Sequence, residues 1–435
     1  MSLYHKRFTI PLDRESKMNS PRKLIVGYDL CDDYSQISCF SYKTFEPIPI
    51  GPDEDEDNPL IPTALALNEA GVWVYGNEAI SCAQNGSGIL VDKLLTKLKN
   101  QEELNFHGQS YSAVKLLEKY FRRTLTLLKS YFPTEVITKL VVTISDMDPV
   151  IIEGIYEALY MLGIEKDRAA VISHGSSFMY YALSQDKELW LNDVGLFDFN
   201  EDGLCFYKID INRRLNPMVA VLEKRDFSET LNYSILKSKN IDLSYTFETI
   251  AKTALYKQII STLYFTGRGF QGDWPNEVIK SLCPGRRVFM GQNLYTKGAC
   301  YGAKELSGDK KLDNIILLDN DMITSSIWIR AYLDGNIQEL LLTEAALPWY
   351  EVNSEIDLIP DETWEIEIIF KNVMTKEIIS ERIPINLPKR PNRMTRLRIN
   401  ISCIDKSKVK LTITDLGFGD MYPATGNSAE YVIEI

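Results

Sequence analysis

Apolar positions along this chain keep two rhythms, and where each one stops divides the sequence. A near-continuous apolar run, Lys23-Leu24-Ile25-Val26-Gly27-Tyr28-Asp29-Leu30, predicts a buried strand. A turn at Cys31–Tyr34 and a second strand over Gln36–Tyr42 make it a hairpin. Further strands are expected at Ile61–Leu67, Val72–Tyr75, Leu140–Ile144 and Ala169–Ser173. Between them, Val114, Leu117, Phe121, Leu125 and Leu128 form a helical stripe. Pro149–Leu162 reads as a helix entered through the capping residues Ser145-Asp146-Met147-Asp148, and Ser176–Leu183 as another after His174-Gly175.

The pattern then restarts. Val194–Asp198 is a strand, Phe199–Gly203 a turn, and Leu204–Ile211 and Met218–Leu222 two more strands. Helical spacing follows over 227–237 and 245–257, leading into a strand at Ser261–Phe265. Two lobes thus begin with an apolar hairpin whose first strand ends on an aspartate, Asp29 and then Asp198, and α/β alternation follows each. Beyond residue 322 the helical period disappears. Ile327–Tyr332, Glu339–Thr343, Trp364–Phe370, Arg396–Cys403 and Lys408–Thr414 alternate or are rich in β-branched residues, which predicts an all-β domain over 323–435. Trp328, Trp349 and Tyr350 are strand aromatics, read as core or as exposed anchors.

Two stretches break the periodicity in ways that bear on chemistry. The strand at Ser261–Phe265 runs into Thr266-Gly267-Arg268-Gly269 and a helix from about Trp274. Glycines at a strand-to-helix turn allow close approach of a ligand or of other backbone, and the helix start behind them presents unsatisfied N–H groups. Gly298, Ala299, Gly302 and Ala303 place a flat face on one helix, where another helix can pack closely. The apolar run Ile315–Leu318 between Asp313 and Asp319 reads as a segment able to dock on a sheet or be released.

Composition narrows the functional classes. The 435 residues carry a formal net charge of −12, which argues against a nucleic-acid or anionic-membrane partner. No apolar run reaches the length of a membrane span, and residues 1–22 lack a signal-like apolar core, so a cytoplasmic protein is expected. Seven scattered cysteines without a C-x-x-C pair read as reduced core thiols. With only His5, His107 and His174, a histidine-based metal centre is nearly excluded. The acidic run in GPDEDEDNP, residues 51–59, reads as a solvated loop in preference to a cation site.

In this order the motifs resemble the actin-like ATPase superfamily, and within it the DnaK-type heat-shock chaperones. Ile25–Leu30 resembles a first phosphate hairpin, Leu196-Phe197-Asp198 a second, Thr266–Gly269 the adenosine turn, Gly298-Ala299 a connecting helix and Ile315–Asp319 the chaperone linker. The resemblance implies a duplicated actin-like α/β fold of two RNase H-like lobes, then a β-sandwich that in the chaperones lies under a helical lid; here a lidless sandwich is expected, the sequence running only to the strand Glu430–Ile435. Its divisions are a lead-in at 1–22, lobe I at 23–190, a shortened lobe II at 191–306, a linker at 307–322 and the β domain at 323–435.

It also implies ATP or ADP with Mg²⁺ as ligand. Asp29 and Asp198 would hold metal-bound water or else satisfy turn N–H groups. His174 would stand where the family has a glutamate, or cap a helix. Lys93, with Lys97 as rival, would reach the γ-phosphate, and Lys224-Arg225 would touch phosphate or ribose. Asp32, Asp33, Gly203, Gly267, Arg268, Gly269 and Gly298 would line the nucleotide. The departures are acidic: Cys31-Asp32-Asp33-Tyr34 and Asn200-Glu201-Asp202 replace small, glycine-rich turns. An uncompensated carboxylate against a phosphate oxygen repels by roughly 1–4 kcal/mol at about 4 Å. The insertion that would clasp adenine is short, since Asp198 and Gly267 lie close in sequence. The expected function is therefore a chaperone-like or partner-binding protein with an eroded nucleotide site, with a peptide or protein partner on the β domain. A working Mg-ATPase is the alternative, and an actin-like filament or scaffold protein a third reading.

Overall fold

Two mixed sheets are laid down before residue 320, and they repeat one another. The structure, a computed structural model, describes residues 23–52, 59–106, 108–237, 242–361 and 364–435. The lead-in at 1–22, most of the acidic 51–59 run and His107 lie outside the described residues. The chain divides into two compact units, Met1–Ile172 with Ala299–Asp309, and Ser173–Gly298 with Lys310–Ile435.

In the first unit the strand order is Ala169–Ser173, Ile137–Ile144, Leu24–Leu30, Tyr34–Ser41, Glu46–Ile50, with Ile61–Pro62 paired on Tyr34–Ser41. Leu24–Leu30 runs parallel to Ile137–Ile144 and antiparallel to Tyr34–Ser41. Flanked on both sides, it is buried along its whole length, which explains the unbroken apolar run. Ala299, Cys300 and Ala303 pack on Ile25, Phe40 and Val141. Ala299 and Ala303 of the small-residue face therefore lie against strand side chains, whereas Gly298 meets a helix, His174–Ser184, at the Ser177 carbonyl.

In the second unit the order is Arg287–Met290, Ile260–Thr266, Asp193–Asn200, Gly203–Asn212, Met218–Asp226, Ile315–Leu318. Asp193–Asn200 again has a parallel neighbour, Ile260–Thr266, and an antiparallel hairpin partner, Gly203–Asn212. Both central strands carry a register shift after their first residue, at Leu24/Ile25 and Asp193/Val194. In both, the last pair of the parallel ladder is an aspartate opposite a threonine, Asp29 with Thr143 and Asp198 with Thr266. The parallel strands Ile260–Thr266 and Arg287–Met290 are joined through the helix Asn276–Leu282, the crossover such pairing requires.

Three elements differ from the sequence expectation or decide between its alternatives. The 227–237 stretch is turns ending in a 3₁₀ segment, Tyr233–Lys237, not an α-helix. Its helically spaced Phe227, Leu231, Ile235 and Leu236 still reach the core with Phe197, Phe206 and Phe247, so turns meet the same burial demand. The Asp226 carboxylate takes the Ser228 amide at 2.8 Å and starts those turns. Ile315–Leu318, placed in a linker and read as able to dock on a sheet or be released, is docked: it is an edge strand parallel to Met218–Val221. Cys283 is exposed instead of core; all seven thiols are unbridged.

Residues 325–434 form two four-stranded antiparallel sheets, ordered Asn336–Thr343, Ser325–Leu333, Glu365–Asn372, Ile378–Pro384 and Asn353–Leu358, Arg396–Asp405, Lys408–Gly417, Ser428–Glu434. Alternating Ile327, Ile329, Ile368 and Phe370 from one meet Leu397, Ile399, Leu411 and Ile413 from the other in one core. Trp349 packs half-buried at its margin, and Trp328 lies half-buried under the Lys371 ammonium, 4.1 Å from the ring centre. No helix among the described residues is long and apolar enough to cross a membrane.

Candidate functional site

The strand-end carboxylates expected to organise a site are both buried. Asp29 is the penultimate residue of Leu24–Leu30, with the Cys31 thiol 3.6 Å from its Oδ1. Across the parallel pair, Thr143 is fully buried and its Oγ1 has no hydrogen-bond partner. An orphaned hydroxyl beside a carboxylate can accept or donate to a water or ion ligand.

The acids of the following turn do not stand open. Asp32 accepts the Leu95 amide at 2.7 Å and the Thr96 hydroxyl at 2.5 Å, so it serves the first turn of the helix Leu94–Lys99. That helix starts from Lys93 in a left-handed conformation, whose side chain supplies no cap. Asp32 thus supplies a carboxylate to N–H groups its own helix leaves unsatisfied. Lys93 forms a salt bridge with Asp33. The rival Lys97 lies 3.7 Å from Glu102.

In the second unit, Asp198 is held by its own neighbours. The Tyr295 hydroxyl donates to its Oδ2 at 2.7 Å, and the Asn200 amide reaches both oxygens at 3.1 and 3.3 Å. Tyr295 also stacks on His174, ring centres 3.9 Å apart and planes 11° apart. His174 opens the helix His174–Ser184, whose Ser173 cap takes the Ser176 amide at 2.8 Å. Asp198 and His174 are therefore joined through one aromatic ring.

The same helix start receives Asp319, the acid that follows the edge strand Ile315–Leu318. Its Oδ2 accepts from the hydroxyls of Ser173 and Ser176, the latter at 2.8 Å. At Gly175 an added Cβ would lie 2.9 Å from Asp319 Oδ1 and 2.3 Å from Leu222. A side chain there would have to displace the ends of the Leu222 and Asp319 side chains.

The glycine turn makes room for protein. Gly267 has φ +98°, and a Cβ on it would stand 2.2 Å from the Phe199 carbonyl oxygen. A Cβ on Gly269 would lie 2.4 Å from the Phe199 ring. Their carbonyls are also engaged, Gly267 by the Gln292 amide at 3.0 Å and Gly269 by the Trp274 indole at 3.1 Å. Arg268 pairs with Glu201 at 3.2 Å. Gly203, φ +105°, is crowded by Ser228 at 2.5 Å, and Gly298 lets its helix meet the Ser177 carbonyl, 2.0 Å from an imagined Cβ. Lys224 lines a separate cleft of about 540 Å³ with Asp226, Asn320, Asp321, Trp349 and Lys406.

Of the four turn acids, three thus have charge or helix partners and Asp202 is exposed. Tyr295 and Phe199 went unrecognised in the sequence, since a lone aromatic after a strand or at a helix start carries no distinctive spacing. Asn200 was legible only as a turn residue: its Oδ1 takes the Asp202 amide at 2.9 Å, the bond to backbone two residues on that Asn favours in turns, and nothing in the spacing announces its reach back to Asp198.

Residues 46–320, over half of the chain, match a family described as family of unknown function (DUF5716) C-terminal. The chain belongs to that family. Residues 322–435 match a domain of unknown function, DUF8552, and one residue, Asp321, separates the two matches. Comparison with curated proteins returned no match.

Proposed function

We propose that this protein is a partner-binding, chaperone-like member of the actin-like superfamily in which nucleotide binding has been lost or greatly weakened. The observation that carries the reading is Phe199: its backbone and ring fill the space that Gly267 and Gly269 leave open. Three pairings support it: Lys93 with Asp33, Arg268 with Glu201, and Tyr295 with Asp198. Groups expected to meet phosphate or metal-bound water are satisfied by protein, and displacing them would cost a binding ligand free energy. The repeated strand order of the two sheets supports the superfamily assignment.

The decisive experiment is a thermal melt of the whole chain with and without millimolar Mg²⁺-ATP, repeated with ADP. A ligand at about 100 times its dissociation constant adds about 2.7 kcal/mol to the native state. That corresponds to a rise of roughly 5–11 °C for a unit of about 150–250 residues. The expected rise is below about 2 °C with either nucleotide. A full-size shift, with ATP turnover that Asp198→Ala abolishes, would overturn the reading in favour of a working ATPase.

A further inference from the structure

The small sheet of the first unit has one unguarded edge. Its strands are ordered Trp73–Tyr75, Leu65–Asn68, Gly88–Val91, all antiparallel, so Gly88–Val91 lies outermost. The Glu69 amide donates to the Ser87 carbonyl at 3.2 Å, and the same register sets Leu67 opposite Ile89 and Leu65 opposite Val91. Backbone groups along an antiparallel strand alternate in direction, so Ile89 and Val91 bond to Leu65–Asn68 whereas Gly88 and Leu90 direct theirs outward. Among the described residues no strand pairs with that side.

The side chains are open as well. Ile89 is 50 % exposed and Leu90 39 %, and successive strand residues face opposite sides, so the edge is uncovered on both. Other outer strands carry the charges or prolines that discourage added pairing. Glu46–Ile50 holds Pro47 and Pro49. Arg287–Met290, Asn336–Thr343, Asn353–Leu358, Ile378–Pro384 and Ser428–Glu434 each contain a charged residue. Ala169–Ser173 and Ile315–Leu318 lack charge but expose no side chain. Among the described edge strands, Gly88–Val91 therefore stands apart in combining exposed apolar side chains with neither charge nor proline.

The surroundings are acidic. Glu69, across the ladder from Ser87, and Asp92, directly after Val91, are exposed. Glu69 and Glu78 also line a cleft of about 420 Å³ that reaches Ser87, and no Lys, Arg or His lines it. Cations close by are engaged elsewhere. Lys93 pairs with Asp33, while Arg123 donates to the Trp73 carbonyl at 3.4 Å and Lys119 lies 5.9 Å from the Trp73 ring centre, both at the opposite edge of the sheet.

We propose that Gly88–Val91 takes an extended, basic segment of a partner protein as a fourth strand. The outward groups of Gly88 and Leu90 call for donors and acceptors at strand spacing, which an extended polypeptide supplies. Glu69, Glu78, Asp92 and the net charge of −12 all act in one direction, toward a cationic segment and against nucleic acid or an anionic membrane. The inference rests on the partner-binding half of the proposed function and is independent of the nucleotide half.

The test uses the full chain and fluorescein-labelled twelve-residue peptides with a common Thr-Val-Thr-Val core, flanked by Lys, Glu or Ser, read by anisotropy. The Lys-flanked peptide is expected to bind about tenfold more tightly than the Glu-flanked one. N-methylation of alternate core residues removes the donors along one edge of the peptide. One alternate set should abolish binding and the other should leave it unchanged. Leu90→Pro removes an outward donor without touching the ladder to Leu65–Asn68, and should weaken binding by at least about tenfold. Glu69→Lys with Asp92→Lys should reverse the charge preference while the protein stays folded by circular dichroism. Equal loss from either methylated set, or binding unmoved by the variants, overturns strand addition at this edge while leaving a partner-binding protein in place. Absence of binding by every peptide overturns the surface, and the nucleotide half still stands or falls by the melts. Concentration-dependent dimers lost in Leu90→Pro, without peptide binding, would make a second copy the occupant and overturn the choice of a basic partner.

Discussion

The Tyr295 hydroxyl lies 2.7 Å from Asp198 Oδ2 and is its donor, in a pocket where Asp198 is only 4 % exposed. A buried carboxylate that loses a donor pays its desolvation without return. Tyr295→Phe removes that donor while keeping the ring that stacks on His174. The expected cost is about 1–3 kcal/mol, seen as a lower urea midpoint with unchanged slope. An unchanged midpoint would mean that Asp198 is satisfied without the Tyr295 hydroxyl.

Two glycines with similar φ should respond very differently. Gly267→Ala at φ +98° drives a Cβ into the Phe199 carbonyl, whereas Gly272→Ala at φ +95° meets nothing within 4 Å. The second change carries backbone strain alone, about 1–2 kcal/mol. The first adds an overlap that backbone cannot relieve locally, and its yield of soluble, cooperatively melting protein should collapse. Equal melting temperatures would show that the Phe199 contact yields.

Asp32 and Asp33 are adjacent acids with unequal work. The Lys93–Asp33 pair is half exposed, so Lys93→Met should change stability by less than about 1 kcal/mol. Asp32 satisfies the start of the Leu94–Lys99 helix, and Asp32→Ala should cost about 1 kcal/mol or more. Chemical denaturation of both variants ranks them, and a larger loss from Lys93→Met would reverse the assignment.

The Arg390–Asp415 pair makes the β domain sensitive to acid. Burial by itself would raise the Asp415 carboxyl, but the Arg390 guanidinium and the Thr425 and Gly417 donors outweigh it and hold it well below the usual value of 3.8. A carboxylate depressed in the folded state adds stability that is fully present above its unfolded value and is lost as pH falls through the folded one. Melts of wild type should therefore weaken below about pH 4. Arg390→Ala leaves Asp415 buried with its charge uncompensated and should cost about 3 kcal/mol at neutral pH, with a much flatter acid limb.

Asp319 closes the edge strand onto the helix start at Ser173 and Ser176. Asp319→Ala should raise hydrogen exchange at the Ile315–Leu318 amides several-fold, because an edge strand of four residues has little else to hold its end. Exchange as slow as wild type would show that apolar packing alone seats the strand.

Much of the architecture was legible in the chain itself. Period-two and continuous apolar runs located the hairpins, and their restart after residue 190 marked the second sheet, because burial on both faces leaves a run with no polar gap. The loss of helical period beyond 322 marked the β domain for a different reason: strands with one buried face alternate apolar and polar residues. The sequence also carried the glycines and acids that stand at the turns. It could not say what they face. Gly267 reads alike whether its missing side chain admits a phosphate or Phe199, and Asp33 reads alike whether it repels a ligand or holds Lys93. Those partners lie 60 and more positions away in sequence. Periodicity is local, set by which side of a strand or helix is buried, whereas the occupant of a turn is chosen by whichever distant segment packs there.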